Sequence, residues 1–142
     1  MKKLLAIFIS FGIAGHAGFC FAAAPYQKIY LKSGETIEGW IDTAPDGSVK
    51  IRERMNRQIR SYPRTDIVRI ENYDARGNLF KEYNYENGLK QGKYKIYNAG
   101  SLEYEGSYKD DQLEGVQRHY DGNGQVRWEK TYRDGKLIRR KE

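Results

Sequence analysis

Three observations predict an all-β fold. Apolar and polar residues alternate with a period of two through Thr36–Thr43 and Val49–Arg54. Turn-forming Gly, Pro, Asn and Asp recur at roughly the 8–12-residue spacing of short-stranded sheets. From residue 73 onward several columns of residues recur every 23 or 24 positions, the mark of a repeated supersecondary unit. β-Branched runs between closely spaced turns exclude helix in the first part. The prediction is a small barrel or sandwich followed by stacked β-hairpins.

The chain has 142 residues and a net charge of +6. Leu, Ile, Val and Phe supply only 20 of residues 23–142, yet all 12 Tyr and both Trp lie there. Apolar area carried by tyrosine predicts a folded chain with a thin, Tyr-rich core rather than disorder. The composition excludes a transmembrane bundle, a coiled coil and a disulfide scaffold.

Residues 1–22 read as an export signal. Lys2 and Lys3 form a basic start, Leu4–Ala14 an apolar run, and small residues lead to Ala22-Ala23-Ala24-Pro25. Cleavage after Ala22 is expected, since Pro25 disfavours a cut after Ala24. An uncleaved anchor over Leu4–Ala24 is the alternative; the two lysines export the rest either way. Phe19 and Ala17 spoil a lipobox around Cys20. The protein is therefore expected in the periplasm or secreted. Cleavage leaves a mature chain without cysteine, suited to an oxidising compartment.

Five short strands are expected between Tyr26 and Glu71. Lys28–Leu31 precedes a turn at Lys32-Ser33-Gly34, and Thr36–Thr43 precedes one at Pro45-Asp46-Gly47. Val49–Arg54 turns near Asn56-Arg57 into Ile59–Tyr62. Pro63–Asp66 reads as a 3₁₀ turn before Ile67–Ile70. Leu31–Ile41, Pro45–Ile51 and Tyr62–Glu71 resemble the small SH3-like or Sm-like barrels, which implies a fold and no ligand. The barrel is placed at 23–72.

Three repeats follow at 73–96, 97–119 and 120–142. Tyr73, Tyr97 and Tyr120 open them; Gly77, Gly100 and Gly124 come next, then Leu79, Leu102 and Val126, then Tyr85, Tyr108 and Tyr132. Period two puts Leu79, Lys81, Tyr83, Tyr85 on one face, with Leu102, Tyr104, Gly106, Tyr108 and Val126, Trp128, Lys130, Tyr132. Glu103, Glu105, Arg127 and Glu129 fall on the other face. Asn87-Gly88 and Asp134-Gly135 are hairpin turns. Leu102–Val126 resembles the variant MORN repeat, whose bacterial members are often labelled antitoxin-like. The resemblance implies stacked hairpins in a single-layer sheet with protein or membrane contact as the usual role. Repeat 1 has Tyr83, and repeat 3 Lys130, where repeat 2 has Gly106.

No enzyme is expected. His119 is the one histidine after the signal, without cysteine partners for a metal, and its column holds Ile96 and Glu142 in the other repeats. Asp110-Asp111 falls at a turn and Glu103/Glu105 on a polar face. No cofactor is expected.

Two binding surfaces are expected instead. One is the aromatic face, with Tyr83, Tyr104 and Trp128 exposed to a protein partner, while Tyr85, Tyr108 and Tyr132 stack as core. The other is a basic patch of Arg52, Arg54, Arg57 and Arg60, within a stretch of net +5 over residues 50–69. It suits an acidic protein patch, or lipid headgroups or wall polymers at a membrane or envelope surface, or serves to protect a sheet edge. Nucleic acid is not expected, because export removes the usual target. The short repeat array needs a cap; the barrel can serve at one end, and the C-terminal hairpin can pair with another copy in a homo-oligomer. The expected function is an exported protein-binding or scaffold module, the alternative an envelope module acting through the basic patch.

Overall fold

The computed structural model describes residues 24–44 and 48–142. The export signal and the Pro45-Asp46-Gly47 turn lie outside the described residues. The strands are β1 (Tyr26–Leu31), β2 (Thr36–Thr43), β3 (Val49–Glu53), β4 (Ile59–Tyr62), β5 (Ile67–Tyr73) and β6 (Leu79–Glu86). They continue as β7 (Leu89–Asn98), β8 (Ser101–Lys109), β9 (Gln112–Tyr120), β10 (Val126–Arg133) and β11 (Lys136–Lys141). A 3₁₀ turn at Arg64–Asp66 precedes β5, where Pro63 presets the chain. All eleven strands are antiparallel in one open sheet, ordered β11-β10-β9-β8-β7-β6-β5-β1-β2-β3-β4.

The apolar core lies in the first half. Ile29, Leu31, Ile37, Val49, Ile51, Ile67 and Ile70 bury one another, with Ile41, Tyr62 and Tyr85 packed alongside. Ile29 and Ile51 are 0 % exposed, so this part of the sheet must curl over its own apolar face. Hydrogen bonds do not close the curl into the expected barrel. β5 gives one edge to β1 and the other to β6, which leaves β4 as a sheet edge. Ile51→Ala should cost about 2–5 kcal/mol by cavity formation. Ile59→Ala, at a position 58 % exposed, should stay within about 0.5 kcal/mol. Urea denaturation of both variants checks the contrast.

The second half is a meander of hairpins. Asn87-Gly88, Asp110-Asp111 and Asp134-Gly135 all have positive φ at both positions, the geometry that matches strand twist in a two-residue turn. The alternate turns explain the uneven spacing of the repeats. Asp74 and Asp121 each cap a longer loop, accepting backbone N–H bonds from Arg76 and Asn78, or from Asn123 and Gln125. The middle repeat turns on Ala99-Gly100 instead, one residue shorter.

Each repeat also carries bulges, and these correct the simple period-two phasing. Tyr73, Tyr97 and Tyr120 pair with Leu79, Leu102 and Val126, while Asn72, Ile96 and His119 pair with Lys81, Tyr104 and Trp128. An extra residue at Phe80, Glu103 and Arg127 therefore takes Leu79, Leu102 and Val126 out of phase with the aromatic set. Further along, residues 91–93 oppose Asn84 and residues 115–117 oppose Gly106. An amide side chain fills each irregularity: Asn84 donates to the Lys93 carbonyl, and Gln117 to the carbonyls of Glu114 and Ser107. Gln117 is 3 % exposed and occupies the space a side chain at Gly106 would need. That packing is the physical reason repeat 2 has glycine at this column.

The two halves are joined by more than β5. Gly88 is buried under Arg64, whose guanidinium lies 4.0 Å from Asp111 in the β8–β9 turn.

Candidate functional site

One face of the sheet carries a row of charges in direct cross-strand register. It runs Glu38, Lys28, Glu71, Glu82, Lys95, Glu105, Arg118, Glu129, Lys141 from β2 to β11. Signs alternate except at Glu71 and Glu82. There Arg69 spans both carboxylates, at 2.6 and 2.7 Å. Arg118 likewise bridges Glu129 at 2.8 Å and Glu105 at 3.4 Å.

The tyrosines that open each repeat belong to this face. Tyr73 donates to Glu71 at 2.8 Å, Tyr97 to Glu82 at 3.3 Å and Tyr120 to Glu105 at 2.6 Å; Tyr30 adds a second 2.8 Å bond to Glu71. Glu71, 6 % exposed, is thus a buried carboxylate with three donors. The Tyr120 hydroxyl, followed by Arg118, holds the Glu105 carboxyl below its ordinary range, and the same bond raises Tyr120. Most charges of this row are paired: Glu71, Glu82, Lys95, Glu105, Arg118 and Glu129 on the face itself and Glu38 with Arg54, while Lys28 lies 5.9 Å over the Tyr30 ring.

The opposite face carries the rings. It continues the apolar core, since Ile29 pairs with Ile70 and Ile70 with Tyr83. Tyr83, Tyr94 and Tyr108 form one cluster, with centroids 5.0–6.2 Å apart. Tyr104, His119 and Trp128 form a second, with His119 stacked on Tyr104 at 4.5 Å and tilted against Trp128 at 5.3 Å. Burial raises Tyr83, Tyr85 and Tyr108 above the ordinary phenol value and pushes Tyr94 up to about 12.

The residues expected from sequence are thus divided. Tyr104 and Trp128 come together through His119, whereas Tyr83 sits in the other cluster. Tyr85, Tyr108 and Tyr132 do not stack on one another: same-column residues are two strands, about 10 Å, apart, beyond ring contact. Tyr108 packs on Tyr83 and Tyr94 instead. Tyr94, His119 and Lys90 are the participants that sequence reasoning missed. Their positions depend on bulged registers, and the one available signal was the His119 column lying beside Tyr104 in the neighbouring strand.

The expected basic patch is dispersed. Arg54 lies 3.6 Å from Glu38 and 4.0 Å over the Tyr26 ring; Arg60 pairs with Glu53 at 2.6 Å and Glu35 at 2.8 Å. Arg57 sits 5.6 Å over Trp40, and Arg52 is exposed.

A cleft of about 380 Å³ opens beside His119, with Ser101, Glu103, Asp121 and Arg127 among its walls. His119 Nε2 is 4.0 Å from Glu103, beyond hydrogen-bond reach, and Nδ1 has no partner among the described residues. Among the described residues of this cleft no nucleophile–base hydrogen bond is formed. No group of three or more His, Cys, Asp or Glu able to hold a metal occurs among the described residues.

Fold and surface together define an all-β hairpin-repeat protein with one face of paired charges and one of half-buried rings. Comparison with protein-family models, curated proteins and solved structures finds no match.

Proposed function

We propose that this chain is an exported, non-enzymatic protein-binding or scaffold module, with MORN-like hairpins capped by an SH3-like segment. The aromatic face is the docking surface. One observation carries the reading: the charged face pairs most of its own groups, while the opposite face leaves six aromatic rings half-buried in two clusters. Tyr, His and Trp supply large contact area at low entropy cost. The headgroup-binding alternative is weakened by the carboxylates already on Arg54 and Arg60.

The test is affinity capture from envelope extract with tagged chain 23–142, washed at low and high salt. A captured protein that survives high salt and is lost from Tyr104→Ala and Trp128→Ala supports the proposal. Retention of lipid or wall material alone, lost at high salt and on Arg52→Glu/Arg57→Glu, overturns it.

A further inference from the structure

The cations of the two faces differ in their partners, apart from Lys28 and Lys141 of the charged face, which have no ion pair among the described residues. On the charged face Arg69, Arg118 and Lys95 have carboxylate partners. On the ring face Lys81, Lys90 and Lys130 have none among the described residues. Each lies against a ring instead. Lys90 Nζ sits 4.9 Å from the Tyr83 centroid and 5.0 Å from that of Tyr108; Lys130 Nζ is 4.3 Å from Trp128, and Lys81 Nζ is 5.7 Å from Phe80. The cross-strand rows of this face between β6 and β10 are Lys81–Ile96–Tyr104–His119–Trp128, Tyr83–Tyr94–Gly106 and Gln117–Lys130, and Tyr85–Lys90. They contain no carboxylate. Two carboxylates border them: Asp111, which accepts the Lys90 backbone N–H at 2.8 Å and lies 4.0 Å from Arg64, and Glu103, on a bulge beside His119. Glu53 enters the Lys81 row only at its far end on β3, where it pairs with Arg60; between β6 and β10 the charged side chains of these rows are lysines, and this part of the face is net positive.

We propose that the ring face binds an acidic extended segment of a partner protein, with Lys81, Lys90 and Lys130 taking its carboxylates. This rests on the aromatic-face reading above and specifies the chemistry of the partner. The lysines are held over rings, so little side-chain freedom remains to be lost on binding. Lys81 on β6 and Lys130 on β10 are four strand spacings apart, roughly 19 Å. An extended peptide covers that in about six residues. The twist accumulated over four spacings, roughly 80–100°, makes this face a curved one that a flexible chain follows and a flat bilayer does not. The rings pack against one another and under the lysines, so they offer no open platform for nucleic-acid bases.

The experiment is fluorescence anisotropy on the full chain, purified from the cells that express it. The probe is a labelled peptide of about nine residues, enough to cover that span with its ends to spare, alternating glutamate and serine around a central tyrosine. A glutamine-for-glutamate version is the control. Saturable binding of the acidic peptide is expected, with the glutamine version about tenfold weaker. Lys81→Gln/Lys130→Gln should also weaken binding about tenfold with an unchanged melting curve, and Arg52→Gln/Arg57→Gln should bind as the parent does. Equal binding of the two peptides, no saturable binding, or no effect of the lysine changes overturns the proposal. So does displacement of the peptide by phosphatidylserine vesicles or oligo-dT at lower concentration than unlabelled peptide. If an envelope partner is lost on Tyr104→Ala but kept by the lysine variant, docking on this face stands and its acidic chemistry fails. If neither change matters, both readings fail.

Discussion

Gly39→Ala should destabilise the protein by about 3 kcal/mol, the upper end for overpacking, and lower the melting temperature by roughly 10 °C. Gly39 lies on β2 opposite Glu53, at a buried point where β3 approaches closely. A methyl there would overlap the Arg52 carbonyl oxygen and crowd the Glu53 Cα at 3.2 Å. Both obstacles are backbone, so neither can rotate away. The β2–β3 ladder has to separate, and Ile37, Ile51 and Val49 lose their cover with it. Gly34→Ala is the informative partner. A methyl there meets nothing within 4 Å, and the cost comes from its φ of +87° alone, about 1 kcal/mol. Thermal melts of the two variants separate steric from conformational cost. Equal melting temperatures would contradict the close approach of β2 and β3.

The second large effect is alkaline unfolding. Eight of the twelve tyrosines are raised above the ordinary phenol value: Tyr30, Tyr73, Tyr83, Tyr85, Tyr94, Tyr97, Tyr108 and Tyr120. Burial leads for all of them except Tyr120, where the bond to Glu105 leads. A raised phenol means that the fold favours the protonated form. Its contribution is fully present below pH about 10 and is lost as pH rises through the folded values, about 12 for Tyr94. Tyr94 alone contributes up to about 2 kcal/mol once solvent screening is allowed for. Tyrosinate absorbance should therefore appear in one steep step between pH 10 and 12, together with loss of the strand circular dichroism. A shallow titration centred near pH 10 with intact dichroism would refute this.

Much of the fold was legible because it is local. Alternation in Thr36–Thr43 gave that strand with its limits intact, and Pro63 placed the 3₁₀ turn before β5. Asn87-Gly88 and Asp134-Gly135 marked their hairpins through their backbone preferences. The period of the Tyr and Gly columns indicated repeats before any pairing was known. The bulges were not legible, because nothing at Phe80, Glu103 or Arg127 distinguishes an extra residue from a paired one. Each bulge shifts the register of the strand residues beyond it, so the Tyr104–His119–Trp128 row could not be assembled from spacing. Curl closure failed for a similar reason: whether β5 offers its free edge to β4 or to β6 is a tertiary choice. The basic stretch was visible as a count of charges, but Glu35, Glu38 and Glu53, which neutralise two of its arginines, reach them only across strands.

The strand order also dictates a sequence of events in time. Nine of the ten strand pairings join neighbours along the chain; β1 with β5 is the exception. Hairpins close quickly because little chain has to be gathered. Bringing Leu31 to Ile67 gathers the whole segment between them, an entropic cost of about 3 kcal/mol before any apolar burial offsets it. β6 and the later strands can zip from their turns first and hold β5 extended, so that β1 meets a ready-made edge. The repeats would then act as the template on which the isoleucine core condenses, and slow refolding phases should report the first half of the chain.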